Sequence, residues 1–290
     1  MRIGVFGNNC NEEKLRLIKG LFDKLNSLGA NVYVQSSFHD FLTSEFGYKP
    51  QMSGVIEGET FDIDIALSVG GDGTFLRTAL QIDKQNIPIL GINTGRLGFL
   101  ADVNGSQIDE TLDEIFRGDY KIEERSLLRL HTDERVFSSF NYALNEVAIL
   151  KRDASSMITI HTYLNGDYLT SYQADGLVIA TPTGSTAYSM SVNGPILLPQ
   201  NANFILSPVA PHSLNVRPIV IPDDYKIMLN VESRTNSFLV SLDGRSEDFP
   251  VGITLNISKA NFTTRVIKRF NQTFYQTLRE KLMWGADVRS

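Results

Sequence analysis

The sequence predicts an α/β N-terminal domain with a parallel sheet, followed by a β-rich, sandwich-like C-terminal domain. Three observations predict it. The chain has 290 residues, more than one domain usually holds, and its 42% apolar content is ample for two cores. Its first third alternates strand-like and helix-like runs, the pattern of a parallel sheet covered on both faces. From about Ser126 the hydrophobic period becomes two, with turn residues between short runs.

"RIGVFG" (Arg2–Gly7) reads as a buried strand, with Asn11 placed to cap the helix behind it. Leu15, Ile18, Phe22, Leu25 and Leu28 recur at helical spacing, and Gly29 closes that helix. Asn31–Ser36 is the next strand and Phe38–Phe46 a short helix. Ile63–Val69 is a third strand, Phe75–Ile82 a helix and Ile87–Asn93 a fourth strand. In the second part Ile253, Leu255 and Ile257 alternate with Thr254, Asn256 and Ser258, and Ile227, Leu229 and Val231 follow the same period. Asn165-Gly166 signals a hairpin turn, and Gly176–Ala180 a strand. Asn271–Trp284 reads as a final helix capped by Asn271. The expected division is residues 1–124 for the α/β domain, completed by a C-terminal helix over 270–290, and residues 125–269 for the β-rich domain.

Composition excludes several classes. Lys and Arg number 27 against 33 Asp and Glu, a net charge of −6, so a general binder of nucleic-acid backbones is not expected. A single cysteine, Cys10, rules out an intrachain disulfide and fits a reducing compartment. No apolar stretch approaches the roughly 20 residues that span a bilayer, and Met1 leads directly into a strand. The expectation is a cytoplasmic protein without membrane or nucleic-acid partners. The four histidines form no short-spaced metal motif.

Two loops carry the chemistry. "LSVGGDGTFLRTA" (Leu67–Ala79) places Gly70, Gly71 and Gly73 around Asp72, directly after an apolar strand. Glycines between a strand and a helix N-terminus leave backbone N–H groups open to phosphate. Neither standard nucleotide loop is present, since the stretch lacks both the Lys-Ser/Thr pair and the G-x-G-x-x-G spacing. A carboxylate repels phosphate, so Asp72 either holds a divalent ion that bridges phosphates or accepts a proton from an attacking hydroxyl; the plain alternative is a turn dipeptide. A second glycine loop, "GINTGRLGFL" (Gly91–Leu100), follows the next strand. Further on, "ADGLVIATPTGSTAYSMSVNGP" (Ala174–Pro195) sets Thr181, Thr183, Ser185, Thr186, Ser189 and Ser191 around Gly184, suited to ribose or phosphate or simply a hydroxyl-rich loop. Thr186-Ala187 is placed to begin a helix there. "ALNEVAIL" (Ala143–Leu150) inserts Asn145 and Glu146 into an apolar run, either to read a ribose or adenine edge or to mark a bend at a strand end.

At these residues the sequence resembles the NAD kinases. The shared blocks are G-G-D-G-T at Gly70–Thr74, G-x-N-x-G-x-L-G-F-L at Gly91–Leu100, the pair Asn145-Glu146, A-D-G-L-x-x-A-T-P-T-G-S-T-A-Y-S at Ala174–Ser189, and P-H-S-L-x-x-R-P at Pro211–Pro218. They fall in order across most of the chain. The resemblance implies ATP-dependent phosphorylation of the adenosine ribose 2′-hydroxyl of NAD to give NADP, with the final helix packed back on the first domain. It implies Asp72 as the catalytic carboxylate, as general base or as a metal-positioning group through the nucleotide phosphates, and a divalent ion such as Mg²⁺. Gly70, Gly71 and Thr74 would form the phosphate loop. Gly73, Arg77, Asn145, Glu146, Asp175, Thr186, Ala187, Tyr188, Ser189, Met190, Ser191, Ala210 and Arg245 would line the NAD site. A homodimer or homotetramer is implied as well.

The chain departs from the family pattern at Asn193, where a small residue is usual, at Arg245, where glutamine or histidine is common, and at Gln173, often a basic position. Competing readings are a lipid or sugar kinase sharing the G-G-D-G-T loop, or a dinucleotide-binding sensor without catalysis.

Overall fold

The computed structural model describes residues 1–95, 97–133, 137–153 and 156–285. The chain divides into two compact units, Met1–Glu124 together with the C-terminal segment from Thr264, and Arg125–Thr263.

The first unit opens with β1 (Arg2–Gly7), α1 (Glu12–Ser27), β2 (Asn31–Gln35), α2 (Ser36–Phe46), β3 (Gly54–Ile56), β4 (Ile65–Gly70) and α3 (Asp72–Ile82). It continues with β5 (Ile89–Asn93), β6 (Val103–Asn104) and α4 (Ile108–Arg117). Its strands run parallel in the order β3-β2-β1-β4-β5, with β6 also parallel to β5. Alternate strand residues face opposite layers. Val5, Val34, Leu67 and Ile92 meet Ile18, Phe22 and Leu25 of α1, Leu42 of α2 and Leu112 of α4. On the opposite face Ser68 lies under α3, its hydroxyl accepting from Thr78 Oγ1 at 3.1 Å. Helices on both faces explain why these strands read as unbroken apolar runs. Asn11 caps α1 as expected, its side chain accepting the Lys14 N–H at 3.1 Å, and Gly29 takes the left-handed conformation just beyond the helix.

Three helix starts differ from the sequence reading, and α2 is one of them, beginning at Ser36 rather than Phe38. The helix expected from Phe75 begins at Asp72 with Gly71 as N-cap, because low-propensity glycines hide its first turn. The final helix, α6 (Phe274–Leu282), is capped by Thr273 rather than Asn271; the Thr273 hydroxyl accepts the Gln276 N–H at 3.3 Å. The preceding turn takes up Asn271, and Gln272 donates to the Asp102 carbonyl at 2.7 Å. Residues 286–290 of the expected helix lie outside the described residues. Helix α6 packs back on the first unit, with Phe274 against Phe99 at 6.0 Å between ring centroids.

The second unit holds β7 (Tyr120–His131, entering from the first), β8 (Tyr142–Ala143), β9 (Glu146–Lys151), β10 (Ile158–Leu164), β11 (Asp167–Ala174) and β12 (Gly176–Ala180). After the four-residue α5 (Tyr188–Ser191) come β13 (Asn203–Val209), β14 (Ile219–Pro222), β15 (Ile227–Glu232), β16 (Ser237–Leu242), β17 (Arg245–Pro250) and β18 (Leu255–Arg269). One antiparallel sheet runs β14-β13-β12-β9-β16-β17, and a second runs β11-β10-β15-β18. Val147, Ile179, Phe204, Val240 and Phe249 of the first sheet share a core with Ile160, Tyr172, Leu229 and Leu255 of the second, giving a sandwich. The other face of the six-stranded sheet packs Ala148, Val178, Ala180 and Ile205 against Tyr188, Val192 and Leu197. The β10–β11 hairpin turns at Asn165-Gly166, with φ of 51° and 91°, as that dipeptide predicts. Strand β18 then leaves the sandwich, and Val266 pairs parallel to Ile89 of β5. The expected break at 269 is therefore the last residue of a strand whose end, from Thr264, lies in the first unit.

Candidate active site

In the first unit β4 ends at Gly70, Gly71 caps α3, and Asp72 is its first residue. None of Gly70, Gly71 and Gly73 has positive φ. Their bareness has other causes. A Cβ on Gly70 would overlap Thr74 Oγ1, whereas a Cβ on Gly71 or Gly73 would meet no atom within 4 Å. The helix N-terminus is thus open at two of its glycines, the geometry that phosphate binding needs.

Asp72 faces the second glycine loop. Its carboxylate accepts the N–H groups of Phe99, Leu100 and Ala101, each at 3.0 Å. A Cβ on Gly98 would overlap Asp72 Oδ1, so only glycine lets the loop wrap the carboxylate. Asn93 braces the same loop, accepting from the Gly95 N–H at 2.6 Å and donating to the Ala101 carbonyl at 3.3 Å. Arg96, within this motif, lies outside the described residues. The fourth donor comes from 209 residues away: Lys281 Nζ of α6 is 3.3 Å from Asp72 Oδ2 and 4.6 Å from the centre of the Phe99 ring. Arg77, an exposed residue of α3, reaches back to Thr74 Oγ1 at 3.3 Å.

In the second unit the Asn145-Glu146 run breaks into β8 and β9, and the break is held by Asp243. The Asp243 carboxylate accepts the N–H groups of Leu144, Asn145 and Glu146 at 2.7, 2.8 and 3.1 Å. Asp243 and Gly244 both have positive φ and form the β16–β17 turn. Asn145 is buried, and a Cβ on Gly184 would overlap its carbonyl oxygen. Glu146 is half-buried and receives the Tyr188 backbone N–H, yet its Oε2 has no hydrogen-bond partner. Burial, then the charge of Asp243, push the Glu146 carboxyl up to about 8. Burial also raises Asp243, against the three amide N–H groups that favour its charged form. Near neutral pH Glu146 therefore carries a proton and can both donate and accept a hydrogen bond.

The hydroxyl-rich stretch divides. Thr181, Thr183, Ser185 and Ser189 are buried. Thr181 donates to the Leu144 carbonyl at 2.6 Å, Ser185 to the Pro182 carbonyl at 2.7 Å, and Ser189 pairs with Ser207 at 3.3 Å. Ser185 closes the loop on itself, whereas Ser189, a residue the sequence reading places in the NAD site, has its hydroxyl against Ser207 of β13. Thr186, Ala187, Tyr188 and Met190 are half-buried and Ser191 exposed. A helix does begin here, but at Tyr188, and it has only four residues. Asp175 pairs with Lys151 at 2.7 Å. Ala210 is exposed with φ of 44°, and Asn193, the departure from a small residue, has φ of 64°, a conformation asparagine tolerates better than most side chains. Arg245 is occupied: its two terminal nitrogens donate to the Phe140 and Tyr142 carbonyls at 2.7 and 2.6 Å. It ties down the chain before β8 through those nitrogens, while its Nε has no hydrogen-bond partner.

Sequence reasoning missed Lys281 and the part played by Asp243. Asp243-Gly244 carried a turn signal, but no local pattern links either residue to its distant partner. Among the described residues no three His, Cys, Asp or Glu side chains converge as a metal site. The four donors on Asp72 match the roughly four lone-pair positions a carboxylate offers, so a cation bound directly to Asp72 would have to displace Lys281.

Residues 3–120 match the ATP-NAD kinase N-terminal domain and residues 144–269 the ATP-NAD kinase C-terminal domain. The chain is 51% identical over 289 residues to a Bacteroides fragilis NAD kinase, covering 100% of each. It is 49% identical over 288 residues to a Porphyromonas gingivalis NAD kinase, covering 99% of each. Among solved structures, yeast NADH kinase complexed with NADH matches with a TM-score of 0.88 at 22% identity, covering 100% of this chain and 89% of that one, a likeness of fold alone. An Archaeoglobus fulgidus NAD kinase in complex with ATP matches with a TM-score of 0.76 at 26% identity, covering 98% and 99%.

Proposed function

The chain belongs to the ATP-NAD kinase family, and on that premise we propose how its own residues perform the reaction. Its activity is that of an NAD kinase, passing a phosphoryl group from ATP to NAD. A lipid or sugar kinase and a non-catalytic sensor are not favoured, since relatives matching the full length are NAD kinases.

In this reading the acceptor is the 2′-hydroxyl of the adenosine ribose. Its oxygen bonds to the γ-phosphorus of ATP, the bond from that phosphorus to the β–γ bridging oxygen breaks, and ADP departs. The hydroxyl proton passes to Asp72. The observation that carries this role is the wrapping of Asp72 by three backbone N–H groups at the open N-terminus of α3, which fixes a carboxylate where phosphate would sit. Gly71 and Gly73 leave room for the phosphates, and the N-terminus of α3 favours their charge. A divalent ion such as Mg²⁺ is expected on the triphosphate, where such ions are usually held.

Gly73 and Arg77 of the first unit are NAD-binding candidates, and the second unit has its own set. Asn145 and the protonated Glu146 read the adenosine, and the unpartnered Glu146 Oε2 is the group a ligand hydroxyl or ring nitrogen would satisfy. Asp175 lies toward the nicotinamide end. Thr186, Ala187, Tyr188, Met190, Ser191 and Ala210 line the remainder. A homodimer or homotetramer in the cytoplasm completes the proposal; light scattering of purified protein and cell fractionation test those two points.

A coupled assay containing NAD, ATP and Mg²⁺, with an NADP-specific dehydrogenase reporting product, tests the central role. Signal that requires all three additions and is lost in Asp72→Asn supports it. Near-normal turnover of that variant moves the base elsewhere.

A further inference from the structure

We infer that Lys281 is a positioning residue that holds the working lone pair of Asp72 and must leave it before the acceptor hydroxyl can bind there. The inference rests on the role of Asp72 proposed above.

A carboxylate offers about four lone-pair positions. On Asp72, Oδ1 takes the N–H groups of Leu100 and Ala101, and Oδ2 takes the N–H of Phe99 and the Lys281 ammonium. The three amides belong to one short loop that must pass close by, because Gly98 lies against Oδ1. They cannot withdraw without unwrapping the loop. Lys281 can: it is a flexible side chain on the last turn of α6, about one-third exposed, as is Asp72.

Its contact is also the longest of the four. At 3.3 Å it exceeds the usual 2.7–2.9 Å of a charge-assisted hydrogen bond. The ammonium is shared with the Phe99 ring, 4.6 Å from its centre, and that ring packs on Phe274 of the same helix. Phe99 therefore gives its N–H to Asp72 and its face to Lys281. A carboxylate with four donors has no lone pair left to accept a proton from a hydroxyl. Of the four, Lys281 is the donor whose departure leaves the loop intact.

Full-length parent protein, Lys281→Met and Lys281→Arg test this by steady-state kinetics with NAD and ATP varied separately. Methionine keeps the length of the side chain and removes the charge; arginine keeps the charge. Because an ion pair this exposed is weak, removing it should raise kcat/KM for NAD by about 3- to 10-fold. KM for ATP should stay at the parental value, and Lys281→Arg should resemble the parent. The single tryptophan, Trp284, lies three residues beyond Lys281 and is exposed, so its fluorescence reports the end of α6. Titration with NAD should change that emission saturably in the parent and less in Lys281→Met.

A fall or no change in kcat/KM for Lys281→Met, an arginine variant that behaves like methionine, or a silent Trp284 overturns the inference. If Lys281→Met fails to fold by thermal melting, Lys281→Gln takes its place. Asp72→Asn, assayed alongside, separates the two claims. Normal turnover there removes the role of Asp72, whereas a dead Asp72→Asn with an unaltered Lys281→Met removes only that of Lys281.

Discussion

Asp243 and Glu146 are joined by reciprocal hydrogen bonds, both of 3.1 Å: the Asp243 carboxylate accepts the Glu146 N–H, and the Glu146 carbonyl accepts the Asp243 N–H. The bonds bring two acidic residues together at the break between β8 and β9, and this has a consequence for stability. Glu146 is raised from 4.5 to about 8, so the folded state retains a proton that the unfolded chain releases. Its contribution is complete below about pH 4.5 and declines as pH rises toward 8. The slope approaches about 1.4 kcal/mol per pH unit. Asp243, also raised, adds a change of the same sign. Urea unfolding across this range should show stability falling with pH, and Glu146→Gln should flatten the decline. A parental stability that rises between pH 5 and 8 would contradict the protonated Glu146.

Asp72→Asn should lose more than a proton acceptor. An amide presents its own N–H₂ to one of the three loop N–H donors, so the 98–101 wrap loosens. We expect turnover to drop by at least about 10²-fold and stability by about 2 kcal/mol from weakened hydrogen bonds to a charged group. Coupled assay and thermal melting on the same preparation read both effects.

Gly73 and Gly98 should respond with opposite sign. At Gly73 an added methyl meets open space within a helix, so Gly73→Ala should gain about 0.5–1 kcal/mol of stability while KM for the nucleotides rises. At Gly98 the methyl collides with an Asp72 oxygen that three amides hold in place. Gly98→Ala should lose about 1–3 kcal/mol together with activity. Equal behaviour of the two variants in melting experiments would refute this account of the glycines.

Ala210 has φ of 44° without a side chain that compensates for it. The left-handed region costs an L-residue about 1–2 kcal/mol, and glycine relieves most of that at some entropic cost. Ala210→Gly should therefore stabilise the protein by roughly 1 kcal/mol, measurable as a higher urea midpoint. A lower midpoint would mean that the alanine methyl makes a compensating contact.

What could be read from sequence followed local rules. The helix signals of Asn11 and Gly29, the Asn165-Gly166 turn and the alternation in the second unit all act within a few residues. Helix α4 was missed, although Ile108, Leu112 and Ile115 share one face and Gly118 closes it. Asp72 and the glycine loops stood out because their composition is unusual. The partners of those groups did not. Lys281 lies 209 residues from Asp72, and Asp243 lies 97 to 99 residues from the amides it binds. Spacing along the chain carries no trace of either contact. The hydroxyls of Thr181, Ser185 and Ser189 make the related point that a side chain bonded to its own fold has the same sequence as one offered to a ligand.

Strand β18 returns the chain to the first unit, and this sets an order of events during synthesis. The parallel sheet begins to emerge from the ribosome before the sandwich, but Val266, Lys281 and the rest of its C-terminal complement come after it. At about 5–20 residues per second, the 209 residues between Asp72 and Lys281 take roughly 10–40 s to translate. Throughout that interval the nascent first unit lacks its closing strand and helix, while Arg125–Thr263 is one uninterrupted segment. The C-terminal complement of the first unit, from Thr264, is therefore synthesised only after the whole of Arg125–Thr263.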